Sequence, residues 1–378
     1  MRSTELLVIG AGPYGLALAA HARQRGIGTV TVGSPMGFWR EHMPAGMFLR
    51  SGPNWHLDVA GEHTFMAFLA ERQLASVDVE PIPISIYLEY ADWFTAEKRV
   101  AVDDVRVKRL LRSGERFLAE LDDGECIEAD AVVSAPGIAH FAALPPWAAG
   151  LPEQRWAHTA DLVSFDQLRG ARCLIIGGRQ SAYEWAALLC DHGAERVDIV
   201  HRQDVPRFAA TDWSFVDDHI AETLRTPGWW RSLPAAQRES IDRRFWEVGR
   251  LTLEAWITPR LDARVHRWPG REVTSAEDDG VAARVMLSSG ERLDADFVVF
   301  ATGYRADLHA VPYLSHLIGD AILVRNGFPI LDPSFASTTA GLYIAGFPAT
   351  QSFGPFFGFV RGAIPTASMI VKDLLART

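Results

Sequence analysis

Apolar and polar positions along the chain fall into the same order twice. The run ELLVIG, Glu5–Gly10, is short, apolar and closed by a glycine, which predicts a strand buried on both faces. A helical pattern follows to about Arg25, and TVTVG, ending at Gly33, predicts the next strand. Further on, ARCLIIG turns at Gly177 and Gly178 into a helical pattern that runs to about His192, and RVDIVHR returns as a strand. Each copy closes much later on an apolar strand and a glycine, ADAVVSAPG in the first and DADFVVFATGY in the second. Two βαβ units of this kind predict an α/β protein with two Rossmann-like, doubly wound domains.

Between its second strand and its closing motif, each copy alternates in segments joined by glycine turns: VRVKRLLRSGERFLAELDDGECIEAD in one, RVHRWPGREVTSAEDDGVAARVMLSSGERLDAD in the other. Both predict a three-stranded meander against the parallel sheet. The proline-rich SAPGIAHFAALPPWAAGLPEQ predicts the linker. From about Asp204 to Arg267 strand signals fade and tryptophans accumulate, predicting a helical insertion on the second domain. The segment from Ala340 onward predicts a last strand and helix that return to the first domain. The expected division is residues 1–150 with 295–378, and residues 151–294.

A chain of 378 residues has room for two cores. Its net charge of −10 and absence of basic runs give no footprint for nucleic acid or an anionic membrane, so a small-molecule partner is expected. Cys126, Cys173 and Cys190 form no CxxC and sit in predicted strands or helices, as reduced thiols of a cytoplasmic protein would. Arg2 and the apolar run after it imitate a secretory signal, but a signal has no use for glycines at 10, 12 and 15. No other apolar run is long enough to span a bilayer.

Those three glycines follow the GxGxxG spacing of a dinucleotide loop. Gly10 makes the turn, Gly12 lets backbone approach a pyrophosphate, and Gly15 lets the helix pack on its strand. The acidic residue expected after the next strand, to hold a ribose hydroxyl, is missing, and Ser34 stands in its region. In the second loop, GGRQSAYE, Arg179 stands where the second glycine belongs. A guanidinium there forbids the usual approach but can grip phosphate itself. Three outcomes stay open: a displaced pyrophosphate held by Arg179, an Arg179 turned to solvent while Gly177 and Gly178 suffice, or lost nucleotide binding. Arg202, after the following strand, stands where an NAD site would have its acid and points to the 2′-phosphate of NADPH. Glu184 is expected to serve domain packing.

In this order the motifs resemble the single-component flavin-dependent monooxygenases, built on the glutathione- and thioredoxin-reductase-like fold. GAGPYGLALAAH is similar to their FAD loop, GGRQSAYEWAALL to their NADPH loop, and FATGY to their interdomain ATGY segment. MFLRSGPNWHLDVAGEHTFMAFLAER, PIPISIYLEYADWF and DWSFVDDHI resemble the ornithine and lysine N-hydroxylating branch, and FWREHMPAGMFLRS resembles bacterial FAD-dependent urate hydroxylases. The chain also departs from these patterns. Of the monooxygenase fingerprint FxGxxxHxxx(Y/F) only His158 survives, with Gln154 for its glycine and Leu162 for its aromatic; Asp217 replaces the asparagine of the N-hydroxylating motif.

The resemblance implies bound FAD and NADPH, NADPH being preferred to NADH, a flavin C4a-(hydro)peroxide, and transfer of one oxygen from O₂ to a small nitrogen-bearing or heteroaromatic metabolite. For FAD it implies Gly10, Gly12, Pro13, Tyr14, Gly15, Ser34, Trp39, Arg40, His56, Val105, Ala135, Gly346 and Phe353. For NADPH and the domain junction it implies Gly177, Gly178, Arg179, Gln180, Ser181, Arg202, Ala301, Thr302, Gly303 and Tyr304. His56 is the candidate acid or base, with Asp58 to orient it or a substrate amine. Trp55, Trp213, Phe215 and Trp246 are expected around the substrate. Trp229, Trp230 and Trp256 could join them, ordinary packing being the alternative for each. No metal is expected, since His42, His56 and His63 lack a ligand spacing. A thioredoxin-reductase-like electron transferase and a flavin-binding redox sensor are the competing readings.

Overall fold

The protein is described here by a computed structural model covering residues 1–377. The first sheet opens with Thr29–Val32, Arg2–Ile9 and Cys126–Ser134, paired in parallel. Cys126–Ser134 is shared between two partners. Its first half pairs antiparallel with Arg116–Leu121, which pairs in turn with Val107–Ser113, while its last three residues pair in parallel with Leu342–Ile344. The meander's third segment and the closing strand are therefore one strand. Its burial changes at the fork: residues alternate between buried and accessible up to Asp130, then run continuously buried from Ala131 to Ser134. That is the change expected where a half-covered sheet becomes covered on both faces.

The second sheet is parallel throughout, in the order Val265–Pro269, Arg196–His201, Arg172–Ile176, Phe297–Phe300, Trp156–His158. Two expectations are corrected by this order. Phe297–Phe300 belongs to the second sheet rather than to a first unit beginning at 295, and Val265–Pro269, expected where the insertion ends and the second meander begins, is an edge strand of the parallel sheet. The second meander, Val273–Asp278, Ala283–Leu287 and Arg292–Ala295, is a separate sheet. Asp296 marks the break. Its carboxylate accepts from the backbone and guanidinium of Arg172 at 2.7–3.2 Å, so the chain leaves the meander and enters the parallel sheet at a fixed point.

Between the sheets sits the tryptophan-rich insertion, with helices Phe215–Arg225, Trp229–Ser232 and Ala235–Trp246 and a π-helical turn, Glu247–Leu251. It leans on the C-terminal part of the first unit. Trp230 and His219 pack on Phe356, Trp213 packs on Phe359, and Arg361 pairs with Asp217 at 2.6 Å. One apolar cluster runs from the first sheet through this junction into the insertion, and a smaller one fills the space between the second sheet and its meander. Among the described residues, no helix is long and apolar enough to cross a membrane.

Candidate functional site

Each sheet ends in a glycine turn that opens onto a helix, Pro13–Gln24 in the first unit and Gln180–Asp191 in the second. Gly10 and Gly177 have φ of +108° and +137°, and a Cβ on either would strike the carbonyl oxygen of Ala135 or Ala301 respectively. Only glycine fits these turns. A Cβ on Gly15 would collide with the carbonyl of Gly10, the close helix-to-strand packing that the spacing predicted. Gly12, by contrast, has open space where its Cβ would be. A cradle is left free beside the unpaired N–H groups of the helix N-terminus, with Pro13 at the first helical position.

Arg179 occupies the position equivalent to Gly12. Both residues precede the helix in extended backbone, φ −81° and ψ −170° at Gly12, φ −109° and ψ −173° at Arg179. Any residue adopts that conformation, so arginine costs the second loop no strain. Its guanidinium stacks on the indole of Trp246, 3.9 Å from the ring centroid. Gly178 is small for another reason: a Cβ would meet the His201 ring at 2.5 Å. His201 in turn faces Tyr183 Oη at 3.2 Å and the Gln203 carbonyl at 2.8 Å. Ser181 lies in the first turn of the same helix. Gln180 Oε1 accepts from the Glu254 backbone, which ties that helix to the insertion. Arg202 is exposed, 3.8 Å from Glu272.

Around the first loop, Ser34 Oγ lies 3.4 Å from Glu41 Oε1. A carboxylate thus reaches the end of the second strand from the next short helix, and its separation by seven residues hid it from a search at the strand end. Trp39 packs on Tyr87, and Arg40 is exposed and paired with Asp92 at 2.6 Å. Val105 follows Asp103, whose backbone bonds with Thr31 and Gly33 beside the same strand end. Tyr14 donates its hydroxyl to the carbonyls of Phe357 and Phe359, clamping the C-terminal loop to the first helix. Gly346, φ +78°, passes along the Tyr14 ring. Phe353 is buried and stacked on Phe335 at 3.6 Å, so it belongs to the core.

The junction residues bind each other. Thr302 donates to the Ala143 carbonyl, Ala143 donates to Gly303, and Tyr304 packs on His158. His158 takes the Ala160 N–H at Nδ1 and lies 3.1 Å from the Gly303 carbonyl through Nε2, so it holds the linker to the second sheet. Burial lowers its pKa.

The two catalytic candidates part company. His56 accepts the Asp58 backbone N–H at Nδ1, 3.3 Å, which leaves its proton on Nε2. Burial lowers its pKa and Arg361 reinforces the effect, outweighing Asp58, so the ring is neutral at pH 7. The Asp58 carboxylate does not orient that ring. It is buried and committed to the backbone N–H groups of Ala60, Glu62 and His63 and to Lys98, at 2.8–3.2 Å. Burial opposes its ionisation, but the His63 and Lys98 contacts prevail and hold it below the usual carboxylate range. Asp58, Glu62 and His63 cluster closely enough for a cation, and the Lys98 ammonium fills that place, 3.0 Å from Asp58 and 3.3 Å from Glu62.

Two cavities adjoin the junction. One, of about 500 Å³, is lined by Trp55, Trp213, Asn54, Asp217 and Arg50; Trp55 and Trp213 meet edge to face at 6.0 Å. The other, about 890 Å³, lies between Ala235–Trp246 and the C-terminal loop. Phe215 is buried under Arg244, and Trp246 is 41% exposed beneath Arg179, so neither lines the smaller cavity. Sequence reasoning missed Arg50, which bonds Glu254, Gly249, Thr252 and Thr211 and pins the LRSGPNW loop to the insertion. A charged residue directly after the apolar run MFL was the available signal.

Residues 7–226 match the family described as pyridine nucleotide-disulphide oxidoreductase. The chain is 31% identical over 340 residues to an FAD-dependent urate hydroxylase of Xanthomonas campestris pv. campestris, covering 79% of this chain and 68% of that one. It is 29% identical over 313 residues to a ferredoxin–NADP reductase of Salinispora arenicola, covering 82% and 76%. In fold it is similar to the reduced form of ornithine hydroxylase from Pseudomonas aeruginosa, with a TM-score of 0.81, 19% identity and 99% of each chain covered.

Proposed function

The chain belongs to the pyridine nucleotide-disulphide oxidoreductase family and, within it, to the flavin-dependent monooxygenases, and from that premise we propose that it uses NADPH and O₂ to place one oxygen on a small nitrogen-bearing or heteroaromatic molecule. The observation that carries this reading is the pair of equivalent glycine turns, Gly10 against Ala135 and Gly177 against Ala301, each opening onto a helix N-terminus. The cradle left open at Gly12 fits the pyrophosphate of FAD, and Arg179 at the matching position fits that of NADPH.

When bound, NADPH supplies a hydride and FAD the means of activating O₂. The residues of the chain do the rest. Gly12 and the helix N-terminus at Pro13 receive one pyrophosphate, and Ser34 with Glu41 meets a ribose hydroxyl. Arg179 and the N-terminus at Gln180 receive the other, and Arg202, at the end of its strand, offers charge to a 2′-phosphate. His56, neutral with its proton on Nε2, donates one hydrogen bond or hands on a proton. Trp55 and Trp213 line the smaller cavity as an edge-to-face pair and give it an apolar wall. Arg361 and Asp217 fasten the insertion to the C-terminal loop.

A second reading, NADPH-dependent electron transfer to a protein acceptor, is favoured by the similarity to the Salinispora arenicola reductase. Both readings are tested by mixing the FAD-loaded protein anaerobically with NADPH, then admitting isotopically labelled O₂ with urate, ornithine or lysine. Flavin bleaching followed by labelled oxygen in the product supports the monooxygenase. Bleaching followed by reduction of added ferredoxin, with no labelled product, supports the reductase. No bleaching by NADPH refutes both.

A further inference from the structure

The larger cavity holds a charge that the protein leaves unanswered. Arg250 lies in the π-helical turn Glu247–Leu251 and lines the cavity with Tyr304, Phe347, Thr350 and Phe359. Its guanidinium rests 5.2 Å from the Phe359 ring and 5.7 Å from that of Phe245. Among the described residues no carboxylate pairs with it and no acceptor takes its hydrogens. The charged groups that act on it are two more arginines, Arg179 and Arg50, and Arg50 already has Glu254. Glu239, Asp242 and Arg238 line the same cavity, but neither acid reaches Arg250, and burial holds the Asp242 carboxyl toward its neutral form despite Arg238. Burial and the two neighbouring arginines lower the Arg250 pKa to about 10, which still leaves it charged at neutral pH.

A half-buried cation without a counter-charge is costly unless a ligand supplies one. Its place in the fold says which ligand. On one side Arg250 packs on Phe359, whose carbonyl is held by Tyr14 of the first glycine loop. On the other, Arg179 of the second loop is near enough for its charge to act on Arg250. It therefore stands between the two nucleotide loops. Single π-turns of this kind recur at functional sites, where an extra residue re-aims a side chain at the expense of regular helix.

We infer that Arg250 anchors a small anion, a carboxylate or the oxyanion of an acidic heterocycle, in the cleft between the two units, and that this anion is the substrate required by the monooxygenase reading on which the inference rests. Arg250 is then a specificity-determining residue, distinct from Arg179, which serves the cofactor.

The test uses FAD-loaded protein without NADPH, so that it does not depend on turnover. Urate, benzoate and the uncharged benzamide are titrated in turn against wild type, Arg250→Gln, Arg250→Lys and Arg179→Gln, following the bound-flavin spectrum; NADP⁺ binding is measured by calorimetry. The expected result is that urate or benzoate binds wild type, loses about 10- to 100-fold in Arg250→Gln and recovers most of it in Arg250→Lys, as removal of a charged hydrogen bond predicts. Benzamide should not distinguish the variants, and Arg250→Gln should keep its NADP⁺ affinity while Arg179→Gln loses it. Absence of anion binding in wild type, or equal binding by Arg250→Gln, overturns the inference. An NADP⁺ loss in Arg250→Gln equal to that in Arg179→Gln overturns it also, by making Arg250 a cofactor ligand. Failure of NADPH to bleach the flavin would sink the monooxygenase reading without touching these titrations.

Discussion

Replacing Glu184 with glutamine should make the protein more stable, and increasingly so as the pH rises. Glu184 lies in Gln180–Asp191 with only 2% of its surface exposed, and one carboxylate oxygen accepts the Phe48 N–H at 3.1 Å, joining the second unit to the loop before Arg50. Burial pushes its carboxyl up to about 7, even though the Phe48 hydrogen bond and the charges of Arg260 and Arg50 favour ionisation. Below the ordinary glutamate range both folded and unfolded states hold the proton, and the group contributes nothing to pH dependence. Between there and pH 7 the unfolded chain loses its proton first, so stability falls as pH rises. Above the folded pKa the cost is complete, on the order of 3 kcal/mol at most. Glu184→Gln keeps the shape and the acceptor for Phe48 N while removing the titration. Melting points at saturating FAD should therefore match wild type near about pH 4.5 and exceed it by roughly 3–6 °C near about pH 8.5. A loss of melting temperature that is the same at both pH values would refute the reasoning. It would mean that Glu184 is ionised in the fold and that Arg50 and Arg260 depend on its charge.

Three further outcomes are expected. Arg179→Gly should keep the fold, since its backbone is in an ordinary extended region, and weaken NADP⁺ binding about 10-fold by calorimetry. Tyr14→Phe removes the hydroxyl that the Phe357 and Phe359 carbonyls accept from, leaving Phe359 with only the Gly362 N–H; it should cost about 1–2 kcal/mol in denaturant titration and loosen FAD measurably in a fluorescence assay. Asp58→Asn strips Lys98 of its buried partner and should cost about 3 kcal/mol at neutral pH. Because the Asp58 carboxyl is held below its ordinary range, its contribution is present above that range and lost as pH falls through the folded value. The variant's melting curve should be flatter than wild type below about pH 5.

How much the sequence disclosed depended on whether the signal was local. The repeated strand, glycine turn and helix was legible because Gly10 and Gly177 must be glycine for steric reasons that any reader can apply. Arg179 was legible as a departure, but its effect was not. Whether arginine strains the turn depends on φ, and whether it faces solvent or Trp246 depends on an insertion folded more than sixty residues away. Asp58 misled because proximity to His56 in the chain says nothing about direction; its oxygens turn to the next loop and to Lys98. Val265–Pro269 was legible as an alternating segment, but as one of the meander, because a two-faced edge strand with exposed residues lacks the apolar run that marks its partners in the parallel sheet. Arg250 and Glu184 stood in ordinary helical patterns, and only the burial of one and the missing partner of the other singled them out.

The forked strand Cys126–Ser134 also ties the order of synthesis to the order of folding. Its lower half finds its partner at once, in the hairpin just made, but the partner of its upper half, Leu342–Ile344, leaves the ribosome some two hundred residues later. Until then Val132–Ser134 presents one unpaired edge next to the first glycine turn. Such edges invite pairing with other chains. A nascent chain that has emerged as far as Phe297–Phe300 would thus hold every strand of the second sheet while the first sheet is still open, so the second unit can be assembled before the first is closed. In this protein the beginning waits for the end.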